Sequence, residues 1–280
     1  MDWKEKLRSS LRRRTLLCVG LDTDMDRFPP HLRTEPDAQF FRNRELIDAT
    51  ADLAAAYKLN QAFYEVQGSK GFDALERTVS YIREEHPGIL TILDAKKGDI
   101  GNTSKAYARA AFETLGADSI TVNGYMGKDA VMPFSEYSDR LVFVLCRTSN
   151  RTAGEVQDLG TREGPLFLKM ASLISSWNDN GNLGLVVGAT FPDELKRIRE
   201  KVGYDLPVLV PGVGAQGGDL GKVLEHGTDG SGWGALINVS RGIMFAFLED
   251  DRNDHTDPAR EAAMGYLDSI RREMEAIGRW

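Results

Sequence analysis

The strongest constraint on the fold is a regular alternation between short apolar runs and longer amphipathic stretches. Each apolar run has the length of a strand buried on both faces, and the stretches between the runs have helical spacing. Eight runs occur, at 16–21, 56–60, 89–94, 118–123, 141–146, 183–188, 206–210 and 235–239. Eight β/α alternations predict an α/β fold, a closed (β/α)8 TIM barrel. A doubly wound open sheet is the alternative, and the count of eight favours the barrel.

The 280 residues show no compositional break, so we expect a single domain over 1–280. Trp3, Leu7 and Leu11 recur every four residues, which indicates an N-terminal amphipathic helix within 1–14, and a C-terminal helix is expected at 258–277. The basic N-terminal stretch contains acidic residues, and the apolar run after it is too short for a signal sequence or a membrane span. We therefore expect a cytoplasmic protein that has no membrane partner.

Composition disfavours several functional classes. The net charge of −7 argues against a general nucleic-acid-binding surface. Cys18 and Cys146 both lie in apolar runs, which indicates buried free thiols and not a disulfide framework. The four histidines are not spaced with cysteine or with one another as metal ligands are. We therefore expect no metal site.

Polar and charged residues stand where nearly every predicted strand ends. In parallel barrels the carboxyl ends of the strands meet on one face, and the chemistry gathers there. The residues at these ends are Asp22, Lys58, Asn60, Asp94, Lys96, Asn123, Thr148–Asn150, Pro211–Gly218 and Ser240–Gly242. The sequence thus predicts one polar site at this face.

The densest charge cluster lies at the end of the third run. Residues i and i+2 of a strand point to the same side, so Asp94 and Lys96 should face one way and Lys97 the other. Charges aimed into a sheet interior must be paired or functional, because an isolated buried charge is too costly. Taken alone, a solvated turn with a surface ion pair is the alternative.

Two further strand ends suggest a phosphate site. Glycines at 212–218 allow backbone N–H groups to approach a phosphate, and Arg241 follows the eighth run. The loops after strands 7 and 8 often bind phosphate in such barrels. The glycines at 212–218 and 227–234 are also compatible with a mobile lid.

The stretch Asp94–Thr103 matches the pattern D-x-K-x-x-D-I-x-x-T and so resembles orotidine 5′-monophosphate decarboxylases. Lys58, Thr148–Asn150, Pro211–Gln216 and Ser240–Gly242 are similar to further landmarks of that family, and they occur in the same order. The Thr-Ser-Asn form and the long loop after strand 5 resemble the longer bacterial branch.

The resemblance implies a carboxy-lyase that converts orotidine 5′-monophosphate (OMP) to uridine 5′-monophosphate (UMP) in de novo pyrimidine biosynthesis without a cofactor. The implied catalytic residues are Lys58, Asp94, Lys96 and Asp99, with Lys96 as the proton donor to C6. The implied substrate-binding residues are Asp22, Asn60, Ile100, Thr103, Ser149, Pro211, Gln216, Arg241 and Gly242. In the family a homodimer forms, and Asp99, Ile100 and Thr103 would then serve the partner's site.

Two other functions remain open from the sequence. A related enzyme shares D-x-K-x-x-D but acts on a sugar phosphate with magnesium, and it would need a carboxylate near strand 2. Glu65 is nearby but lies beyond the strand. The second alternative is a nucleotide-phosphate-binding barrel without catalysis, against which the intact charged residues argue.

Overall fold

Eight parallel strands close into a barrel in the computed structural model, which describes residues 1–35, 37–213, 218–248 and 255–280. The predicted (β/α)8 barrel is therefore confirmed. The strands are β1 (Leu17–Gly20), β2 (Ala56–Asn60), β3 (Leu90–Lys97), β4 (Ser119–Val122), β5 (Leu141–Arg147), β6 (Leu183–Val187), β7 (Val208–Pro211) and β8 (Ala235–Val239). Each strand pairs with its neighbours in sequence, and β8 pairs with β1 to close the ring.

Helices surround the barrel. They are α1 (Trp3–Arg12), α2 (Ala38–Thr50), α3 (Ala62–Glu65), α4 (Ser69–Glu85), α5 (Gly101–Arg109), α6 (Lys128–Ser135), α7 (Gly154–Gln157), α8 (Leu166–Ser176), α9 (Pro192–Val202), α10 (Leu220–Gly227), α11 (Arg241–Met244) and α12 (Thr256–Ala276). Within the described ranges, no helix is long and apolar enough to cross a membrane.

Helix α1 closes the amino end of the barrel. Trp3 and Leu7 are buried with side chains of the barrel interior such as Ile92 and Phe143. The Lys6 ammonium lies 2.7 Å from the Asp118 carboxylate, and both side chains are almost fully buried. The lower half of the barrel is thus filled and sealed, which leaves the carboxyl ends of the strands as the open face.

Three details differ from the sequence-based expectations. Strand β3 continues to Lys97, so the charged cluster belongs to the strand and does not follow it. The polar segment after β5 contains α7 and a small antiparallel ladder, Gly160–Thr161 with Gly164–Pro165, which are too short to show a period. The glycines at 227–234 lie between α10 and β8, at the amino end of the strands, so they cannot form a lid over the carboxyl end.

Candidate active site

A cavity of about 1160 Å³ opens at the carboxyl ends of the strands. Nine of the residues predicted for the site line it, namely Asp22, Lys58, Asn60, Asp94, Lys96, Ser149, Pro211, Arg241 and Gly242. Asp99, Ile100 and Thr103 do not line it. Gln216 lies outside the described residues.

Four charged side chains form an alternating chain of ion pairs on the wall of this cavity. The Lys58 ammonium lies 3.1 Å from Oδ1 of Asp22 and 3.0 Å from Oδ2 of Asp94. The Lys96 ammonium lies 2.7 Å from Oδ1 of Asp94. Lys58 is only 4% exposed, whereas the Lys96 side chain is 49% exposed. The order is therefore carboxylate, ammonium, carboxylate, ammonium, with the last ammonium open to the cavity.

Burial and pairing act in opposite directions on these charges. Burial by itself raises the pKa of Asp94, but the ammonium groups of Lys58 and Lys96 and the hydrogen bonds it accepts hold that pKa well below its usual range. Burial by itself lowers the pKa of Lys58, but Asp22 and Asp94 outweigh it and hold that pKa above its usual value. Both groups are therefore charged at neutral pH.

The end of β3 that carries Asp94 and Lys96 is a bulge. Leu93 pairs with Ile120, and Lys97 pairs with Val122, so three residues of β3 stand opposite a single residue of β4. Lys96 has a φ of +49°, in the left-handed region that side chains other than glycine rarely occupy. Such backbone strain concentrates at functional sites.

The residue opposite the bulge, Thr121, was missed from the sequence. Its hydroxyl donates to Oδ1 of Asp94 at 2.8 Å and accepts from the backbone N–H of Lys96 at 3.0 Å. The only available signal was a polar residue inside an apolar run, on the same strand face as Asn123.

Lys97 faces away from the cavity, as predicted. Its ammonium lies 3.9 Å from the Glu65 carboxylate and 5.0 Å from the centre of the Tyr107 ring. Glu65 does not line the cavity. Besides its contact with Lys97, its carboxylate accepts a hydrogen bond from the Gln61 amide at 2.6 Å. Across the described residues, no group of three or more His, Cys, Asp or Glu could hold a metal ion.

A side-chain clamp outside the sequence prediction holds the segment after β5. The Arg147 guanidinium makes two contacts of 3.2 Å with the Asp158 carboxylate and stacks 4.0 Å from the Phe191 ring. The Gln157 amide accepts from the backbone N–H of Thr148 at 2.9 Å and donates to its hydroxyl at 2.7 Å. These contacts fix helix α7 over the strand end that presents Ser149.

Glycine is required where Ser149 packs. A Cβ atom on Gly188 would lie 2.7 Å from Cβ of Ser149 and 2.9 Å from its Cα, so no larger residue fits.

Arg241 and Gly242, on the other side of the cavity, follow β8 at the start of α11. The Arg241 side chain is exposed and has no ion-pair or hydrogen-bond partner among the residues that the structure describes. It is available to an anionic ligand.

Asp99, Ile100 and Thr103 do not line the cavity of their own barrel. The Asp99 carboxylate accepts from the N–H of Ile100 at 2.7 Å, and Ile100 is 61% exposed although it is apolar. The Ser104 hydroxyl holds this turn by donating to the Asp99 carbonyl at 2.8 Å. The turn is thus held by its own hydrogen bonds and leaves Ile100 exposed at the surface.

Comparison with known proteins identifies a family for this arrangement. The family model described as "Orotidine 5'-phosphate decarboxylase / HUMPS family" matches residues 15–250. The chain is 48% identical over 275 residues to a protein of Aromatoleum aromaticum named orotidine 5′-phosphate decarboxylase, a match that covers 97% of this chain and 99% of that one.

Solved structures show the same likeness. The OMP decarboxylase structure of Leishmania donovani is 38% identical, with a TM-score of 0.80 and coverage of 97% of this chain and 99% of that one. The UMP synthase structure of the same organism is 40% identical with a TM-score of 0.83, and this chain spans 57% of its longer chain. The chain therefore belongs to the orotidine 5′-phosphate decarboxylase / HUMPS family.

Proposed function

We propose that the chain decarboxylates OMP to UMP in pyrimidine biosynthesis, without a metal or organic cofactor, and that Lys96 delivers the proton to C6. The alternating ion-pair chain of Asp22, Lys58, Asp94 and Lys96 on the cavity wall is the observation that carries this proposal. The names of the relatives support the same reaction.

The reaction needs a fixed positive charge near C6, because decarboxylation leaves a carbanion there. When the bond between C6 and the carboxylate breaks, the electron pair stays on C6 and CO2 departs. No neighbouring carbonyl can delocalise that pair as an enolate. An ammonium group held in place stabilises the developing negative charge at no cost of reorganisation. An N–H bond of the ammonium then breaks, its proton goes to C6, and the amine regains a proton from water.

Exposure and pairing favour Lys96 over the two other lysines nearby. Lys58 is buried between two carboxylates, so its protons are already engaged. Lys97 faces Glu65 outside the cavity. Among the described residues, Lys96 touches a single carboxylate, that of Asp94, and half of its side chain is exposed. Asp94 therefore orients the donor, and repulsion between Asp94 and the substrate carboxylate is a secondary contribution.

The remaining lining residues would hold the nucleotide. Asp22 and Asn60, which line the cavity, would bind ribose hydroxyls, and Ser149, which also lines it, would bind the pyrimidine edge. Arg241 and the Gly242 amide would bind the phosphate. Pro211 lines the cavity at the end of β7, and Gln216 stays a predicted contact between pyrimidine and phosphate. Phosphate binding far from C6 can contribute to the rate by assembling the site.

The enzyme would act as a homodimer. Asp99, Ile100 and Thr103 belong to a hydrogen-bonded turn that does not line the cavity of their own barrel. A partner subunit placed against this turn would receive the Asp99 carboxylate at its own site. This arrangement would also cover Ile100, which is 61% exposed in the single chain.

The magnesium-dependent alternative finds no support in the position of Glu65. That alternative needs a carboxylate at the end of β2 facing the cavity, where Lys58 and Asn60 stand. Glu65 instead contacts Gln61 and Lys97 outside it. A chelator separates the two reactions, since it should leave OMP decarboxylation unchanged.

The direct test follows the loss of the orotate absorbance in the parent and in Lys96→Ala, with Lys97→Ala as the matched control. We expect the parent to form UMP and Lys97→Ala to keep most of the activity. In Lys96→Ala, kcat should fall about a thousand-fold or more, on the order of 4 kcal/mol of lost transition-state stabilisation. Nucleotide binding by a parent without turnover would favour a binding protein, and an unimpaired Lys96→Ala would reject the assigned donor.

A further inference from the structure

We propose that Thr121 is a positioning residue for the decarboxylation, because its hydroxyl holds both ends of the bulge that presents Asp94 and Lys96. This inference rests on the proposed function and assigns a role to a residue outside the recognised motif.

The register makes Thr121 the residue of β4 that faces the bulge. Leu93 and Lys97 keep ordinary partners on β4, and the three residues between them share a single opposite position. The backbone N–H of Lys96 points at the Thr121 hydroxyl, 3.0 Å away, where a regular ladder would offer a carbonyl. The side chain of Thr121 thus takes the place of a strand partner.

The same oxygen also fixes the carboxylate. The Thr121 hydroxyl donates a hydrogen bond to Oδ1 of Asp94 at 2.8 Å. The same carboxylate oxygen accepts from the Lys96 ammonium at 2.7 Å. A single hydroxyl therefore ties the backbone of the proton donor to the carboxylate that orients its ammonium. Since Thr121 is only 1% exposed and packed in the barrel wall, its rotamer is fixed by the fold.

The bulge needs such a tie because Lys96 has a φ of +49°. A lysine in the left-handed region relaxes toward negative φ unless its surroundings hold it. Relaxation would rotate the side chain away from Asp94 and away from C6. Loss of the hydroxyl should therefore lower the rate of the chemical step more than it weakens nucleotide binding.

The barrel supplies a matched control for the mutation. At its other end Thr91 makes the same kind of contact, in which its hydroxyl donates to the Asp118 carboxylate at 2.9 Å and accepts from the Asp118 N–H at 2.9 Å. This pair also links β3 to the segment that enters β4, and both residues are buried. Thr91→Val removes an equivalent hydroxyl without touching the cavity.

The experiment compares kcat and KM for OMP in the parent, Thr121→Val, Thr121→Ser and Thr91→Val, with folding checked by circular dichroism and thermal melting. For Thr121→Val we expect kcat to fall about 10- to 100-fold, as for loss of a hydrogen bond to a charged group, with a smaller change in KM. Thr121→Ser, which keeps the oxygen, should restore most of kcat. Thr91→Val should lower the melting temperature and leave kcat unchanged.

Thr121→Ser loses the methyl group but keeps the oxygen, so recovery of kcat in this variant is a readout that a loss of packing alone does not move. If Thr121→Val does not fold, Thr121→Ala removes the same oxygen with less crowding.

The outcomes separate the two proposals. A parent that leaves OMP unchanged overturns the proposed function and this inference together. An active parent whose Thr121→Val variant keeps its kcat, or whose Ser and Val variants lose it equally, overturns the inference alone.

Discussion

Replacement of Lys58 by methionine should destabilise the fold far more than replacement of any surface lysine. Lys58 lies 3.1 Å from Asp22 and 3.0 Å from Asp94, with 4% of its side chain exposed. At an effective dielectric constant of about 20, each pair attracts with on the order of 5 kcal/mol, most of which offsets the desolvation of the ammonium. Without the lysine, two carboxylates remain buried together, and we expect a loss of about 3–5 kcal/mol.

Urea unfolding at pH 7 measures this loss, with Lys97→Met as the control. Lys97 is 26% exposed and 3.9 Å from Glu65, so its removal should cost at most about 1 kcal/mol. Adding Asp94→Asn to Lys58→Met should recover part of the loss, since it removes one of the two carboxylates that repel each other once Lys58 is gone. Equal stabilities of Lys58→Met and Lys97→Met would refute this account of the ion-pair chain.

The ion pairs of Lys58 also make the free energy of unfolding depend on pH in a defined direction. The pKa of Asp94 is lowered in the folded protein, so its contribution to stability is present above the unfolded pKa of about 3.9 and is lost as the pH falls. The pKa of Lys58 is raised, so its contribution is present below the unfolded pKa of about 10.4 and is lost as the pH rises through the folded pKa. The parent should thus hold these contributions between about pH 4 and 10. Since Lys58→Met removes the main group that lowers the pKa of Asp94, its deficit against the parent should shrink as the pH is lowered from 7 toward 4.5.

Two further predictions concern the dimer and the thiols. If Asp99 serves the partner's site, mixing inactive Asp99→Ala and Lys96→Ala subunits should restore about a quarter of the parental activity. Half of the dimers are then mixed, and each mixed dimer has one intact site of two. Heterodimers that form without any activity would contradict the shared site. Burial raises the pKa of both the Cys18 and Cys146 thiols to about 12, so neither should react with a thiol reagent at pH 8 until the protein is unfolded, and rapid labelling of the native protein would contradict that burial.

Much of the site was visible in the sequence because each strand end carries its own polar residue. The apolar runs set the strands, and closure of the barrel brings Asp22, Lys58, Asp94 and Arg241 to one cavity without further information. The spacing of Asp94 and Lys96 correctly predicts that they face the same cavity. The barrel fold thus converts eight local patterns into one site.

The bulge and the clamp could not be predicted, since neither depends on local sequence alone. Lysine has no preference for a positive φ, and the conformation of Lys96 depends on Thr121, which lies 25 residues later in the chain. In the sequence, Arg147 is one of several charges at strand ends, and only the fold brings Asp158 and Phe191 into contact with it. Contacts between side chains on different elements decide both cases.

The two threonine–aspartate pairs between β3 and β4 make equivalent hydrogen bonds and differ in the exposure of the lysine that each aspartate binds. At the amino end, Asp118 accepts from the Thr91 hydroxyl and from the Lys6 ammonium, which lies 2.7 Å away. Thr91 and Lys6 are both buried. At the carboxyl end, Asp94 has an equivalent threonine contact, but its second lysine is half exposed. The chemistry of the two pairs is the same, and the difference lies in access. Lys6, buried on helix α1, is enclosed by the barrel and can only stabilise it, whereas the Lys96 side chain is 49% exposed among the residues that the structure describes and so can offer an N–H bond to a ligand.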